Sequence, residues 1–344
     1  MAILRYPVQL QALYSELLGR VQQAALEELA DAHGGFAAKT VAGRRYWYFR
    51  RRQGKRIVER YVGPETADLL RRIDALAGAA GDAKAAARQR RDFVRLLRAG
   101  GVPVPDARSG RVLRALADAG VFRLRGVIVG THAFLCYGAM LGVRIAAQAA
   151  FTTDIDVAQF ETVSVAVGEH IDPGFEAALR TVEPFDPMPT LRSRLRSSSW
   201  RTPDRALTVE LLTPLVGPTA SKLVALPAFA AHGQPIRFLD YLIHRTEPAA
   251  VLHGSGILVN VPPPERYACH KLIVAHRRRG AGRAKAAKDI VQAAALFEVL
   301  LEDRPGDVED AWSDLLQRGP KWRESAMASV RRLPGAIAAK LNAR

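Results

Sequence analysis

The chain has 344 residues, enough to bury a sizeable core and to hold two or three structural units. Its hydrophobic fraction of 49% is that of a globular protein, and no apolar run reaches the roughly 18–20 residues that span a bilayer. A net charge of +16 points to polyanionic partners, while the two cysteines, Cys136 and Cys269, lie in helix-like apolar contexts that argue against a disulfide scaffold and suit a reducing compartment.

The N-terminus, MAILRYPVQLQALYSELLGR, has polar residues throughout and no signal-peptide core, so a cytoplasmic location is expected. Over Pro7–Ala32, Leu10, Leu13, Leu17, Val21, Ala25 and Leu29 recur at spacings of three and four. This predicts an amphipathic helix, ended by His33-Gly34-Gly35. The period then changes. Phe36–Gly63 reads as strands broken at Ala42-Gly43 and Gln53-Gly54 and closed by Gly63-Pro64. The middle strand places Tyr46, Trp47, Tyr48 and Phe49 beside Arg44, Arg45, Arg50, Arg51 and Arg52. Basic strands interleaved with aromatics can contact phosphates and stack bases, which makes nucleic acid a candidate partner. The competing account is a small sheet whose aromatics pack on a helix and whose arginines are solvated. Glu65–Arg98 is again helical, with a break at Gly78–Gly81, and Gly100-Gly101 with Pro103 and Pro105 marks a linker.

That linker divides the chain into residues 1–105, helices with the basic hairpin unit; 106–226, a core; and 227–344, strands and a helical bundle. The core opens with a short helix over Arg108–Ala119 and a buried strand, Val127-Ile128-Val129. Gly130-Thr131 then starts an apolar helix, Ala133–Leu141. Glycine permits close backbone approach, threonine suits an N-cap, and the free N–H groups of a helix start suit phosphate. The strand Thr153-Asp154-Ile155-Asp156-Val157 follows. Alternate strand residues share a face, so Asp154 and Asp156 point the same way, and two like charges that close call for a cation between them. Mg²⁺ prefers such oxygens and joins carboxylate pairs to nucleotide phosphates. His132, beside the turn, is read as structural.

Farther on, Ser164–Val167 reads as a strand, and Asp172-Pro173 starts a helix with proline in its first position. Leu191–Arg205, with Arg192, Arg194, Arg196 and Arg201, is a basic loop or hairpin tip. Ala206–Pro214 alternates as a strand and carries Glu210 inside an apolar run, where a carboxylate needs a cationic partner or a metal. Pro235–Ile243 and Gly256–Val261 are further strand-like runs. Pro262-Pro263-Pro264 stops them, and two helices follow, Glu265–His276 and Lys285–Leu301, before an amphipathic, basic tail.

The order of these parts resembles the nucleotidyltransferase fold of the DNA polymerase β superfamily: a Gly-Ser or Gly-Gly turn, a helix, an Asp-x-Asp strand and a third carboxylate on a later strand. VGTHAF followed by TTDIDVAQF is similar to a bacterial family of nucleotidyltransferase-fold proteins and, more distantly, to the AbiEii-type toxin nucleotidyltransferases. The turn here is Gly-Thr, the third carboxylate is Glu210 where Asp is usual, and the gap from Gly130 to Asp154 is longer than in minimal members. RYACHKLIVAHRRR and KAAKDIVQA resemble the C-terminal helical motif of these families, with Lys271 and Asp289 at the matching positions and Lys288 beside the latter. The resemblance spans roughly residues 108–300.

It implies an α+β fold with a mixed-sheet nucleotidyltransferase core between an N-terminal helical and hairpin region and a C-terminal helical region. It implies Mg²⁺, with Mn²⁺ as the alternative, on the catalytic and metal-binding carboxylates Asp154, Asp156 and Glu210. It implies an NTP held by Gly130, Thr131, Lys271 and Asp289, an acceptor such as tRNA or another RNA, a toxin-like or defence role, and an antitoxin-like protein partner. The competing reading is a non-catalytic nucleotide- or nucleic-acid-binding protein that keeps the fold. No zinc-ligand spacing, G-x-S-x-G elbow, Walker A loop or dinucleotide fingerprint is present.

Overall fold

The computed structural model describes residues 3–29, 34–53, 56–76, 83–145, 153–188, 196–217, 222–278 and 280–343. Helix α1 (Val8–Leu29) turns Tyr14, Leu17, Val21, Ala24 and Leu26 inward, the face that the three- and four-residue spacing requires. An antiparallel sheet follows: β1 (Gly34–Val41), β2 (Arg44–Gln53) and β3 (Arg56–Pro64). Ala42 (φ 47°) and Gly43 (φ 76°) are both left-handed, as a two-residue hairpin whose twist matches its strands demands. Gly54 and the expected helix break at residues 78–81 lie outside the described residues. Helices α2 (Ala67–Leu76) and α3 (Ala83–Ala99) lead into α4 (Ala107–Asp118). Asp106 caps α4, its carboxylate accepting from the backbone N–H groups of Arg108 and Ser109.

The central sheet is mixed. Its strands are β4 (Val127–Val129), β5 (Asp154–Ala158), β6 (Asp186–Pro187), β7 (Ser199–Arg201), β8 (Thr208–Pro214), β9 (Val224–Leu226) and β10 (Ala231–Ile236). The main order is β4-β5-β8-β10-β9, with β7 on the first half of β8 and β6 beside it. Strand β5 runs antiparallel to β4 and parallel to β8, which puts Val129 opposite Asp156 and Asp156 opposite Glu210. Helix α5 (Gly130–Met140) leaves β4 directly; α6 (Glu161–Ala166) and α7 (Phe175–Arg180) lie in the β5–β6 connection. A second hairpin, β11 (Glu247–Val251) and β12 (Ile257–Val261), follows the short α8 (Leu239–Leu242). Helices α9 (Pro264–Arg277), α10 (Arg283–Asp303), α11 (Pro305–Gln317), α12 (Pro320–Val330) and α13 (Gly335–Asn342) complete the chain.

The fold is therefore α+β with a mixed sheet. The main core links Tyr48 and Tyr61 of the first sheet, the central strands and the C-terminal helices down to Leu341. A smaller cluster joins α1, α3 and the linker through Tyr14, Leu17, Leu97 and Val102. Cys136 and Cys269 are buried free thiols. Among the described residues no helix is long and apolar enough to cross a membrane.

Three local expectations change. Ser164–Val167 is not a strand: its β-branched residues lie in or at the end of α6, where the Ser164 hydroxyl accepts from the Ala228 N–H at 2.9 Å, so tertiary packing overrides propensity. The run Pro235–Ile243 is strand only to Ile236. Phe238 turns left-handed (φ 68°) and the apolar remainder forms α8. The helix expected from Pro173 begins at Phe175, with Gly174 at its N-cap.

Candidate active site

The site is assembled from the β4–α5 junction, the facing strands β5 and β8, and one side of α10. Alternation along β5 seals Ile155 and Val157 in the core and leaves Asp154 and Asp156 partly exposed on the opposite face. Glu210 shares that face one strand away, in register with Asp156, while its neighbours Val209 and Leu211 are fully buried. Gly130 brings the turn onto this face. Its φ is 63°, and a Cβ there would lie 2.2 Å from Asp156 Oδ2, so any side chain would displace the carboxylate.

The three carboxylates act on one another. Burial, then the charges of Glu210 and Asp154, push Asp156 up to about 7. Glu210 is also raised, by burial first and Asp154 second, with Lys285 and Arg201 opposing. The donor set is all oxygen, the chemistry that hard divalent cations select. Among the described residues, however, no three His, Cys, Asp or Glu side chains are drawn together closely enough to hold a metal ion. An ammonium lies there instead, with Lys285 Nζ 3.3 Å from Asp154 Oδ2.

Thr131 does not cap α5. Val129 occupies the cap position without a side-chain bond, and Thr131 sits within the first turn. Its hydroxyl accepts from Lys288 Nζ at 3.0 Å. Lys271 and Asp289, by contrast, form a buried pair: Lys271 Nζ donates to Asp289 Oδ1 at 2.7 Å, and Arg278 Nε holds the other oxygen at 2.5 Å. Burial works against the Asp289 charge, yet Lys271 and Arg278 keep its carboxyl below the usual range. The pair is buried, Lys271 at 9% and Asp289 at 2% exposure. Tyr267 connects the pair to the turn. It is 1% exposed, its Oη donates to the Gly130 carbonyl at 2.8 Å, and its ring stacks on Phe134 and carries Lys271 Nζ at 5.1 Å.

The sequence reading missed Tyr267 and Lys285. A signal for the latter existed: Lys285, Lys288, Asp289 and Gln292 fall at i, i+3, i+4 and i+7, one face of a helix. On the basic sheet, Tyr48 and Phe49 are buried, Arg50 pairs with Glu59, Arg45 pairs with Glu65, and Arg44 is exposed. The side chains of Arg51 and Arg52 lie outside what the structure describes, as do Arg192 and Arg194.

A family model described as Nucleotidyltransferase matches residues 107–317, more than half the chain. The chain belongs to this nucleotidyltransferase family. A second model, a domain of unknown function (DUF6788), matches residues 9–72, which hold α1 and the basic sheet. No curated protein matches. A crystal structure of an antigenic nucleotidyltransferase-like protein from Paracoccidioides brasiliensis is 12% identical, with a TM-score of 0.32 over 65% of this chain and 94% of that one. The family match contains every site residue described above, from Gly130 to Gln292.

Proposed function

We propose that this family member transfers a nucleoside monophosphate from an NTP to an acceptor hydroxyl, with Mg²⁺, or Mn²⁺ in its place, recruited by Asp154, Asp156 and Glu210, which would draw closer together to hold it. The observation that carries the reading is the register that sets Asp156 beside Glu210, with Gly130 pressed against Asp156. The bound cation would supply Lewis-acid stabilisation of charge on the transferring phosphate. The chain's own residues do the remainder. The first-turn N–H groups at Gly130 and Thr131 face the phosphates. Lys285 and Lys288 offset their charge. Glu210, whose carboxyl is raised by burial, takes the proton of the acceptor hydroxyl. The acceptor oxygen bonds to the α-phosphorus, the bond to the bridging oxygen breaks, and pyrophosphate leaves.

RNA, tRNA included, is the proposed acceptor class on the strength of the +16 charge. A toxin-like or defence role with an antitoxin-like partner belongs to the same proposal and rests on the family resemblance alone. The test is incubation with each α-labelled NTP, Mg²⁺ and total bacterial RNA, beside Asp154→Ala and Asp156→Ala controls. Label on RNA or protein that both controls lose is the expected result. A second reading, a nucleotide- or nucleic-acid-binding protein without catalysis, is favoured by one observation: Lys285 already holds a positive charge on Asp154. Mg²⁺-dependent NTP binding with no transfer would select it.

A further inference from the structure

A groove of about 820 Å³ starts beside the carboxylate strand and is used by nothing described so far. Thr153, the residue before Asp154, and His132, the residue after Thr131, both line it. Val104, Leu135, Leu207 and Leu252 make it largely apolar. His132 is 3% exposed, and its Nε2 has no hydrogen-bond partner. A buried polar atom left without a partner is rare enough to require an explanation.

Two of the charges lining the groove are already committed, and Arg98 and His253 line it as well. Arg108 is held by Glu183 and by Asp204 at 2.7 Å. Asp106 caps α4. A phosphate entering the groove would find Arg108 neutralised. Burial pushes His132 down to about 4, so its imidazole is neutral near pH 7 and serves as a hydrogen-bonding group rather than a charge. Apolar walls with a neutral polar group suit a flat, uncharged ring with a hydrogen-bonding edge.

We propose that this groove seats a nucleobase, with the His132 imidazole reading its edge. The identity of the ligand rests on the nucleotidyl-transfer reading; the groove's chemistry does not. The base belongs either to the incoming NTP or to the terminal nucleotide of the acceptor.

Two variants test this. His132→Phe removes the polar group at similar size. Ala206→Trp fills the groove from an exposed position on its lining, so its fold is safe if His132→Phe fails to fold. The probes are the four phosphate-free nucleosides by saturation-transfer NMR, the four NTPs with Mg²⁺, inorganic tripolyphosphate, and a short single-stranded RNA. The expected result is that at least one nucleoside binds the wild type and is lost or weakened about tenfold in both variants, with tripolyphosphate binding unchanged. A matching tenfold loss for the NTP of that base assigns the base to the NTP. Unchanged NTP binding with weakened RNA binding assigns it to the acceptor. Nucleoside binding without any transfer would remove the proposed reaction and leave the groove assignment standing. No nucleoside binding, or equal binding by wild type and variants, overturns the groove assignment.

Discussion

Two sheets in this molecule treat their carboxylates in opposite ways. In the β1–β3 sheet, Glu59 receives both Lys39 and Arg50, and the Lys39 hydrogen bond holds its carboxyl below the usual range. Glu65 likewise meets Arg45 at 3.3 Å and accepts from Trp47 Nε1 at 2.9 Å. In the central sheet, Asp156 faces Glu210 across one strand pair, and Lys271 and Lys285 offset only part of the burial and repulsion that lift it to about 7. Glu59 and Asp156 are both acidic side chains on strands; the difference is the sign of the nearest neighbours. The first sheet meets its carboxylates with its own cations on folding. The carboxylate face leaves a surplus of negative charge that a cation from outside would neutralise.

The largest expected effect comes from neutralising that surplus. Asp156→Asn should reduce transfer by about 10³-fold or more, because the charge that would hold the cation is gone. Its effect on stability should run the other way. The unfolded chain releases this proton near 3.8, whereas the folded chain keeps it until about 7. The folded state therefore binds more protons across that window, and wild-type stability falls as pH rises through it. Asp156→Asn removes this slope, so the metal-free variant should melt above the wild type at about pH 8 and near it at about pH 4. Mg²⁺ should raise the wild-type melting temperature more at the alkaline end, and should barely move the variant. Melting below the wild type at alkaline pH would mean that Asp156 is already satisfied, and the contrast between the sheets would collapse.

How far this contrast was legible in the sequence depends on range. Alternation put Asp154 and Asp156 on one face, and the apolar context of Glu210 marked it as needing a partner; both are properties of a few consecutive residues. The helices carrying Lys271 and Asp289 were legible for the same reason, as the Pro262–Pro264 stop and the helical period fix them. What they touch was not. Lys271 and Asp289 consume each other's charge with Arg278, while Lys285 and Lys288 reach Asp154 and Thr131 across more than a hundred residues of chain. Tyr267 could not be singled out, because a tyrosine in an apolar helix reads as core until its Oη is seen on the Gly130 carbonyl. Ser164–Val167 failed as a strand because short β-branched runs yield to packing.

Tyr267→Phe sharpens the picture of the carboxylate side at the next level of effect. It keeps the ring contacts with Phe134 and Tyr137 and deletes the hydroxyl's contacts with the Gly130 carbonyl and, at 3.1 Å, with Gln292 Oε1, a change of about 1 kcal/mol or somewhat more in stability. If the bond to Gly130 holds the Gly130-Thr131 turn, the proposed phosphate site, against Asp156, kcat/KM for the NTP should fall about tenfold while the melting temperature shifts by only a few degrees. Hydrogen exchange at residues 130–133 should rise in the variant with or without nucleotide. An unchanged exchange rate would make Tyr267 a packing residue alone. On the basic side, Arg44 is exposed. Arg44→Ala should lower the salt slope of RNA binding by about 0.7, the value of one single-strand phosphate contact, and unchanged binding would take Arg44 out of any RNA surface.

The smallest effect is the most discriminating for the basic sheet. Lys39 and Arg50 hold the Glu59 carboxyl below the usual carboxylate range, so it contributes stability above that range and loses it as pH falls through the folded value. The pairs are partly exposed, which limits the gain to under about 1 kcal/mol. Glu59→Gln should therefore cost little at neutral pH and flatten the acid limb of the melting curve. It also releases Lys39 and Arg50 from their shared partner. If the sheet binds RNA through its cations, the variant should bind more tightly and with a steeper salt dependence than the wild type. If affinity and slope stay put, those cations serve the fold of the sheet and nothing beyond it. The carboxylate face would then be the only one of the two sheets whose charge is arranged for a ligand.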